Sequence, residues 1–295
     1  MLAWMLRGVL FAQVLALAAL FGLLLGLGWL ESLVASAFAF LALQALPLGA
    51  AYRVSRRFAS PEPPGGGPPT FASVMQEYLA FMALFSVVQP LERLFMGSDA
   101  IGRLPAGQHP VLLVHGYLCN RGYWWWFRRA LRSRGCAVAT ITLETPFSDI
   151  EQMAGQLERR IAALRAETGA ARVSLVTHSM GGLVARAYFR RFGGEHVARF
   201  VTIGGPHQGT VLARLGLGRS ARQMEPGNAW LAGLNGGGAP PVPTLAIWTT
   251  GDEIVAPQDS ARLPHVRDCV LPALGHLALG LSPQVAELVL ADLAR

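Results

Sequence analysis

The chain has 295 residues, 52% of them hydrophobic and 15% charged, and carries a formal net charge of +7. That balance is too apolar for an ordinary soluble enzyme and points to a membrane-attached protein. All 25 basic residues are arginine, which excludes Schiff-base lysine chemistry and the lysine of a phosphate-binding P-loop, and their scatter without a recognition motif argues against a nucleic-acid partner.

The first 58 residues read as a transmembrane helical hairpin. One apolar span runs from about Gly8 to Leu30 and a second from about Leu33 to Tyr52, each near the ~20 residues that cross a bilayer core. Glu31 and Ser32 would form the turn, and Trp4, Trp29 and Tyr52 would sit at the interfaces. Ala35-Ser36-Ala37 resembles a signal-peptide cleavage site, but the apolar stretch before it is too long for one. Arg7 lies at one end of the hairpin, and Arg53, Arg56 and Arg57 follow the other. The positive-inside rule then puts both ends and the remaining chain on the cytoplasmic side. Residues 59–70 form a Pro/Gly-rich linker. Residues 71–106 hold an amphipathic helix, Phe71 to Met96, and a connection; its polar residues suit a helix lying on the membrane or covering the next domain.

From 107 to 295 strands and helices alternate. Strand-like runs fall at Val111–Val114, Cys136–Leu143, Arg172–Thr177, Val197–Ile203, Pro243–Thr250 and Asp268–Leu271. Helical patterns run from Asp149 to Thr168, from Gly182 to Phe192, and onward from Ser282-Pro283. Trp124-Trp125-Trp126 opens another helix. The fold class is α/β, a mostly parallel sheet flanked by helices. The glycine-rich stretch between 210 and 240 reads as a lid or cap. Cys119, Cys136 and Cys269 lack CxxC spacing, so neither a metal nor a redox role is expected, and Cys136 and Cys269 are read as buried in strands.

The chemistry sits at strand ends. Ser179 lies in Thr177-His178-Ser179-Met180-Gly181-Gly182, between an apolar strand and a helix. A serine on such a turn is pushed out of the sheet, where a base and a substrate can reach it. The usual elbow begins with glycine; Thr177 replaces it here. The alternative is a plain strand-turn-helix with a serine cap. Tyr117, after Val114-His115-Gly116, and Met180 are placed to offer two backbone N–H groups to one oxyanion. Asp252 follows the strand ending at Thr250 and is chosen as the acid, with Glu253 and Asp259 as rivals. His276, after the last strand, is the base. The order serine, acid, histidine is that of the α/β-hydrolase triad. His178 and His207 receive no catalytic role.

These stretches, together with Gly204-Gly205-Pro206-His207-Gln208-Gly209-Thr210, resemble those of bacterial lipases and esterases of the α/β-hydrolase superfamily. The resemblance covers about two-thirds of the chain, from Pro110 to Arg295. It implies hydrolysis of carboxylic esters, those of acyl lipids first, through an acyl-enzyme at Ser179, with no metal or organic cofactor. An acyltransferase, thioesterase or phospholipase could use the same residues. A non-catalytic membrane scaffold is the rival from another class.

Overall fold

The computed structural model describes residues 1–60 and 69–295; most of the expected linker over 59–70 lies outside the described residues. Helix α1 covers Leu2–Ala19 and widens into π-turns over Leu20–Leu24, and α2 runs over Trp29–Arg57. The bend between them is Leu25–Gly28, not Glu31-Ser32. Gly26 takes a positive φ of 66°, and the Gly28 N–H donates to Glu31 Oε2 at 3.0 Å, so Glu31 caps α2 from inside its first turn. Trp4 and Trp29 are exposed, as interfacial anchors would be. Tyr52 is not: it is buried on the face of α2 that carries Gln44, Leu48, Ala51 and Ser55. Gln44 Nε2 donates to Gln13 Oε1 at 2.9 Å and ties the two helices together.

Helix α3 spans Phe71–Phe81, opens into π-turns over Met82–Val88, and is followed by α4 at Glu92–Met96. Its buried residues, Ser73, Glu77, Ala80, Leu84 and Val88, form one stripe at helical spacing. That stripe covers the following domain. Arg7 Nε donates to the Pro90 carbonyl and the Tyr78 hydroxyl to the Leu41 carbonyl, each at 2.8 Å, so α3 also anchors the hairpin. Three helical segments, Leu2–Leu24, Trp29–Arg57 and Phe71–Val88, are long and apolar enough to cross a membrane.

The remainder is built on six parallel strands: β1 Val111–Val114, β2 Val138–Ile141, β3 Val173–His178, β4 Val197–Ile203, β5 Thr244–Thr249 and β6 Arg267–Leu271, in the order β2-β1-β3-β4-β5-β6. The second strand is shorter than its apolar run suggests, so Cys136 falls before it; Cys136 and Cys269 are half-buried. Helices α5 (Trp125–Arg132), α6 (Ile150–Thr168), α7 (Met180–Phe192), α8 (Gly218–Gln223), α9 (Ala229–Asn235) and α10 (Pro283–Leu293) complete the domain. Asp149 and Ser282 cap α6 and α10 through their side chains, as a helix start requires. One apolar layer packs α6, α7 and α9 on one face of the sheet. The other packs α5, α10 and the stripe of α3 on the opposite face. The first ten residues of α7 are all buried, as befits a helix enclosed on every side.

Register places the site. Val114 pairs with Thr177, and Thr249 with Leu271. The loops after β1 and β3 therefore emerge side by side, and so do those after β5 and β6. All lie at the carboxyl ends of the strands, where open parallel sheets form their ligand crevice.

Candidate active site

Ser179 stands between β3 and α7 with φ 55° and ψ −130°. A non-glycine residue held there is strained, and the strain throws its side chain clear of both elements. The backbone around it leaves no room for side chains. A Cβ on Gly116 would lie 2.6 Å from Ser179 Cβ, and one on Gly181 would lie 2.7 Å from the Val114 carbonyl oxygen. Thr177, where the usual elbow has glycine, is fully buried. Its hydroxyl donates to the Val201 carbonyl at 3.3 Å, which accommodates the larger residue.

His276 Nδ1 donates to Asp252 Oδ2 at 2.8 Å, both groups being nearly inaccessible to water. Asp252 Oδ1 accepts from the N–H groups of Ile254 at 2.9 Å and Val255 at 2.7 Å, so its carboxylate is held on both sides. This pairing leaves Nε2 as the open nitrogen of His276. Burial alone would lower the pKa of the imidazole. The Asp252 charge and hydrogen bond, with Glu77 behind them, outweigh it and raise the value above 6.5. Of the three carboxylates, Asp252 is the one paired with the His276 ring. Glu253 accepts from the His276 backbone N–H at 3.1 Å, and Asp259 accepts from the Ser60 hydroxyl at 2.6 Å. Ser179 and His276 line one cavity of about 170 Å³.

Tyr117 lines the same cavity as Ser179, and Met180 is the first residue of α7, directly after it. His115 fixes the loop that carries Tyr117. Its Nε2 accepts from the Leu143 N–H at 2.9 Å, so the proton sits on Nδ1 and is donated to the Gly116 carbonyl at 2.9 Å. Burial pushes His115 down to about 4, which keeps it neutral. The Tyr117 hydroxyl donates to the Leu217 carbonyl and accepts from the Leu217 N–H, each at 2.8 Å, joining that loop to the segment between 210 and 240.

Two contributors escaped the sequence. His178 lies with its ring 4.3 Å from that of Tyr123 and 4.5 Å from that of His276, and its Nε2 donates to the His276 carbonyl at 3.0 Å. Adjacency to Ser179 was its only signal. Glu77, on α3, is fully buried, and its carboxylate accepts from the N–H groups of Leu277 at 2.7 Å and Ala278 at 2.8 Å. Burial, with the Glu77 and Asp252 carboxyls beside it, pushes Glu253 well above the ordinary carboxylate range. Burial raises Glu77 as well, against the hydrogen bonds it accepts from Leu277 and Ala278. An acidic residue in an otherwise apolar helix was a signal that reads equally as solvent exposure.

A strained serine after β3 that shares a cavity with an Asp-His pair after β5 and β6 is the arrangement of the α/β-hydrolase fold. Solved structures carry the same fold. Lipase BlEst2 of Bacillus licheniformis in its mature form matches 67% of this chain and 96% of its own, with TM-score 0.59 and 16% identity. Lipase B of Aspergillus fumigatus matches 65% of this chain and 55% of its own, with TM-score 0.57 and 22% identity. A family model described as palmitoyl protein thioesterase matches residues 110–225. In sequence the chain is similar to bacterial lipases: a triacylglycerol lipase of Pseudomonas fragi is 33% identical over 111 residues, 36% of this chain and 37% of that one. The chain thus spans little more than a third of the length of that relative. It carries a lipase-, esterase- or thioesterase-like α/β-hydrolase domain behind apolar helices compatible with membrane association.

Proposed function

We propose that the chain is a membrane-anchored serine ester hydrolase acting on an acyl lipid or similar ester. The observation that carries this reading is the strained Ser179, opening on the same cavity as a histidine that donates from Nδ1 to a buried carboxylate. His276 Nε2 takes the Ser179 proton as the oxygen attacks the ester carbonyl. Asp252 holds the tautomer and stabilises the imidazolium. The backbone N–H groups of Tyr117 and Met180 stabilise the oxyanion. His276 then protonates the departing alkoxide, leaving an acyl-enzyme. Water, deprotonated by the same nitrogen, releases the acid and regenerates the serine.

In this reading residues 1–58 are a bilayer hairpin, 59–70 a linker, 71–106 a helix and connection covering the domain, and 107–295 the catalytic domain with its cap near 210–240. The arginines flanking the hairpin support a cytoplasmic catalytic domain at a bacterial inner membrane. Helix α2 has 29 residues, about 43 Å at 1.5 Å per residue, so it is long enough to cross the core and still reach the domain.

Labelling of membranes with a fluorophosphonate tests the serine. Wild type should label and Ser179→Ala should not; absence of label in both would favour a non-catalytic scaffold. The thioesterase family match supports a second reading, in which the same residues cleave a thioester.

A further inference from the structure

Ser179 opens on two cavities rather than one. The larger, about 500 Å³, is lined by Leu212, Leu215, Leu217 and Met224 of the cap segment and by Pro47 and Ala51 of α2. The smaller, about 170 Å³, is lined by Leu48 of α2, Phe81 and Phe85 of the third helix, and Leu277 beside His276. Three positions of α2 therefore line the two arms, Pro47 and Ala51 the larger and Leu48 the smaller. Only the smaller arm includes His276. The imidazole must give its proton to the leaving oxygen, so the alcohol side of a bound ester lies in the smaller arm and the acyl chain in the larger. The larger arm has about three times the volume of the smaller. No arginine lines either arm among the described residues, so neither offers a phosphate a counter-charge.

We propose that the N-terminal helices complete a two-armed substrate cleft, and that the substrate is a neutral acyl ester with a long acyl chain and a compact, uncharged, apolar alcohol portion. This rests on the serine-hydrolase reading and narrows it, because a phosphorylated headgroup or a peptide-borne thiol suits the roofed smaller arm poorly. The test uses the full chain in detergent micelles. Its panel contains alkyl esters varied separately in acyl and alcohol length, phosphatidylcholine and a palmitoylated peptide thioester. Wild type should prefer the neutral alkyl esters. Ala51→Trp should shorten the preferred acyl chain by roughly four carbons, taking a methylene as about the volume of a water, and leave the alcohol preference alone. Leu48→Trp should restrict the alcohol and leave the acyl optimum alone. Fluorophosphonate labelling checks that each variant is folded; should Ala51→Trp not label, Leu212→Trp narrows the same arm from the cap side. Both variants moving one axis, or faster cleavage of phosphatidylcholine or the thioester by wild type, overturns the proposal. A wild type that does not label overturns the serine reading and this one with it.

A separate observation concerns the base. Glu77 reaches from α3 to two successive N–H groups just after His276, and Glu253 holds the N–H of His276 itself. Three consecutive peptide donors are thus gripped by two touching carboxyl groups, one of them on a helix outside the catalytic domain. The geometry points to Glu77 as a positioning residue that sets His276 against Ser179. Around His276 the titratable groups are Asp252, Glu253, His178 and Glu77, with the Tyr52 and Tyr123 hydroxyls behind them. Glu77→Gln keeps one acceptor and leaves one buried N–H unpaired. It should lower kcat roughly tenfold with KM little changed, while Glu77→Ala should lower it roughly a hundredfold. Glu77→Gln also removes a charge that helps to raise His276, so the acid limb of the pH profile should move to lower pH. A wild-type kcat or an unmoved acid limb in Glu77→Gln overturns the assignment; a Glu77→Ala that does not fold leaves Glu77→Gln to decide.

Discussion

The hydrolase domain and the N-terminal hairpin bury their apolar side chains in opposite ways. Every residue of β1 is buried, and so are the first ten of α7, each large aliphatic among them gaining about 1.5–3 kcal/mol from leaving water. In the hairpin, Leu23, Trp29, Leu33 and Phe38 are all more than 60% exposed, and Leu2 is the one buried residue of α1. The domain makes its own apolar interior. The hairpin turns its apolar surface outward and needs another apolar phase to cover it. The stripe of α2 from Gln44, which meets Gln13 of α1, to Ser55 is buried as the domain's residues are. The site forms where the two regimes meet.

The largest effects should fall where strain and burial concentrate in the domain. Ser179→Ala should lower kcat by about 10⁶-fold, measured on a soluble ester in micelles. Asp252→Asn should lower it by about 10⁴-fold, because the histidine loses the acceptor that fixes its tautomer. The same substitution removes the main cause that raises His276. A base must be neutral to act, so wild-type kcat/KM should fall on the acid side at a pH above 6.5, and in Asp252→Asn that limb should move to lower pH. Gly181→Ala would push a methyl to within 2.7 Å of the Val114 oxygen and should destabilise the domain by about 1–3 kcal/mol in thermal or denaturant unfolding. The smallest effect belongs to the hairpin. Gln44→Leu leaves Gln13 without its partner and should cost about 0.6–2 kcal/mol of helix association, read by steric trapping in a bilayer, with esterase activity retained. If Gln44→Leu instead abolished activity, the separation of the two regimes would fail.

The domain was legible because its elements obey local rules. Val111–Val114 and Val197–Ile203 are strands over the residues their apolar runs predict, and Asp149 and Ser282 begin helices by capping. Ser179, Asp252 and His276 could be read because each follows a recognisable strand. Asp252 meets the His276 ring and Glu253 its backbone N–H, a difference that one position and one methylene could not announce in sequence. The hairpin was legible as apolar length, but its turn was not. Polarity suggested Glu31-Ser32, whereas the backbone bends at the glycines and Glu31 serves as a cap. Tyr52 was read as interfacial because it ends an apolar span; in space it lies buried on the stripe of α2 from Gln44 to Ser55. Glu77 and His178 were missed for the same reason: their partners, Leu277 and Ala278 in one case and the His276 carbonyl in the other, are about 100 or 200 residues away.

The Tyr117 hydroxyl holds Leu217 by its main chain alone, through the carbonyl and N–H of that one residue. The Leu217 side chain, 68% exposed, takes no part in the link. Position 217 is thus a place for a spectroscopic label at the wall of the larger arm: Leu217→Cys could carry a spin probe or fluorophore while the main-chain latch stays fastened, at the expense of acyl-chain room. Such a label would report, turnover by turnover, whether the segment between 210 and 240 lifts away from the oxyanion loop.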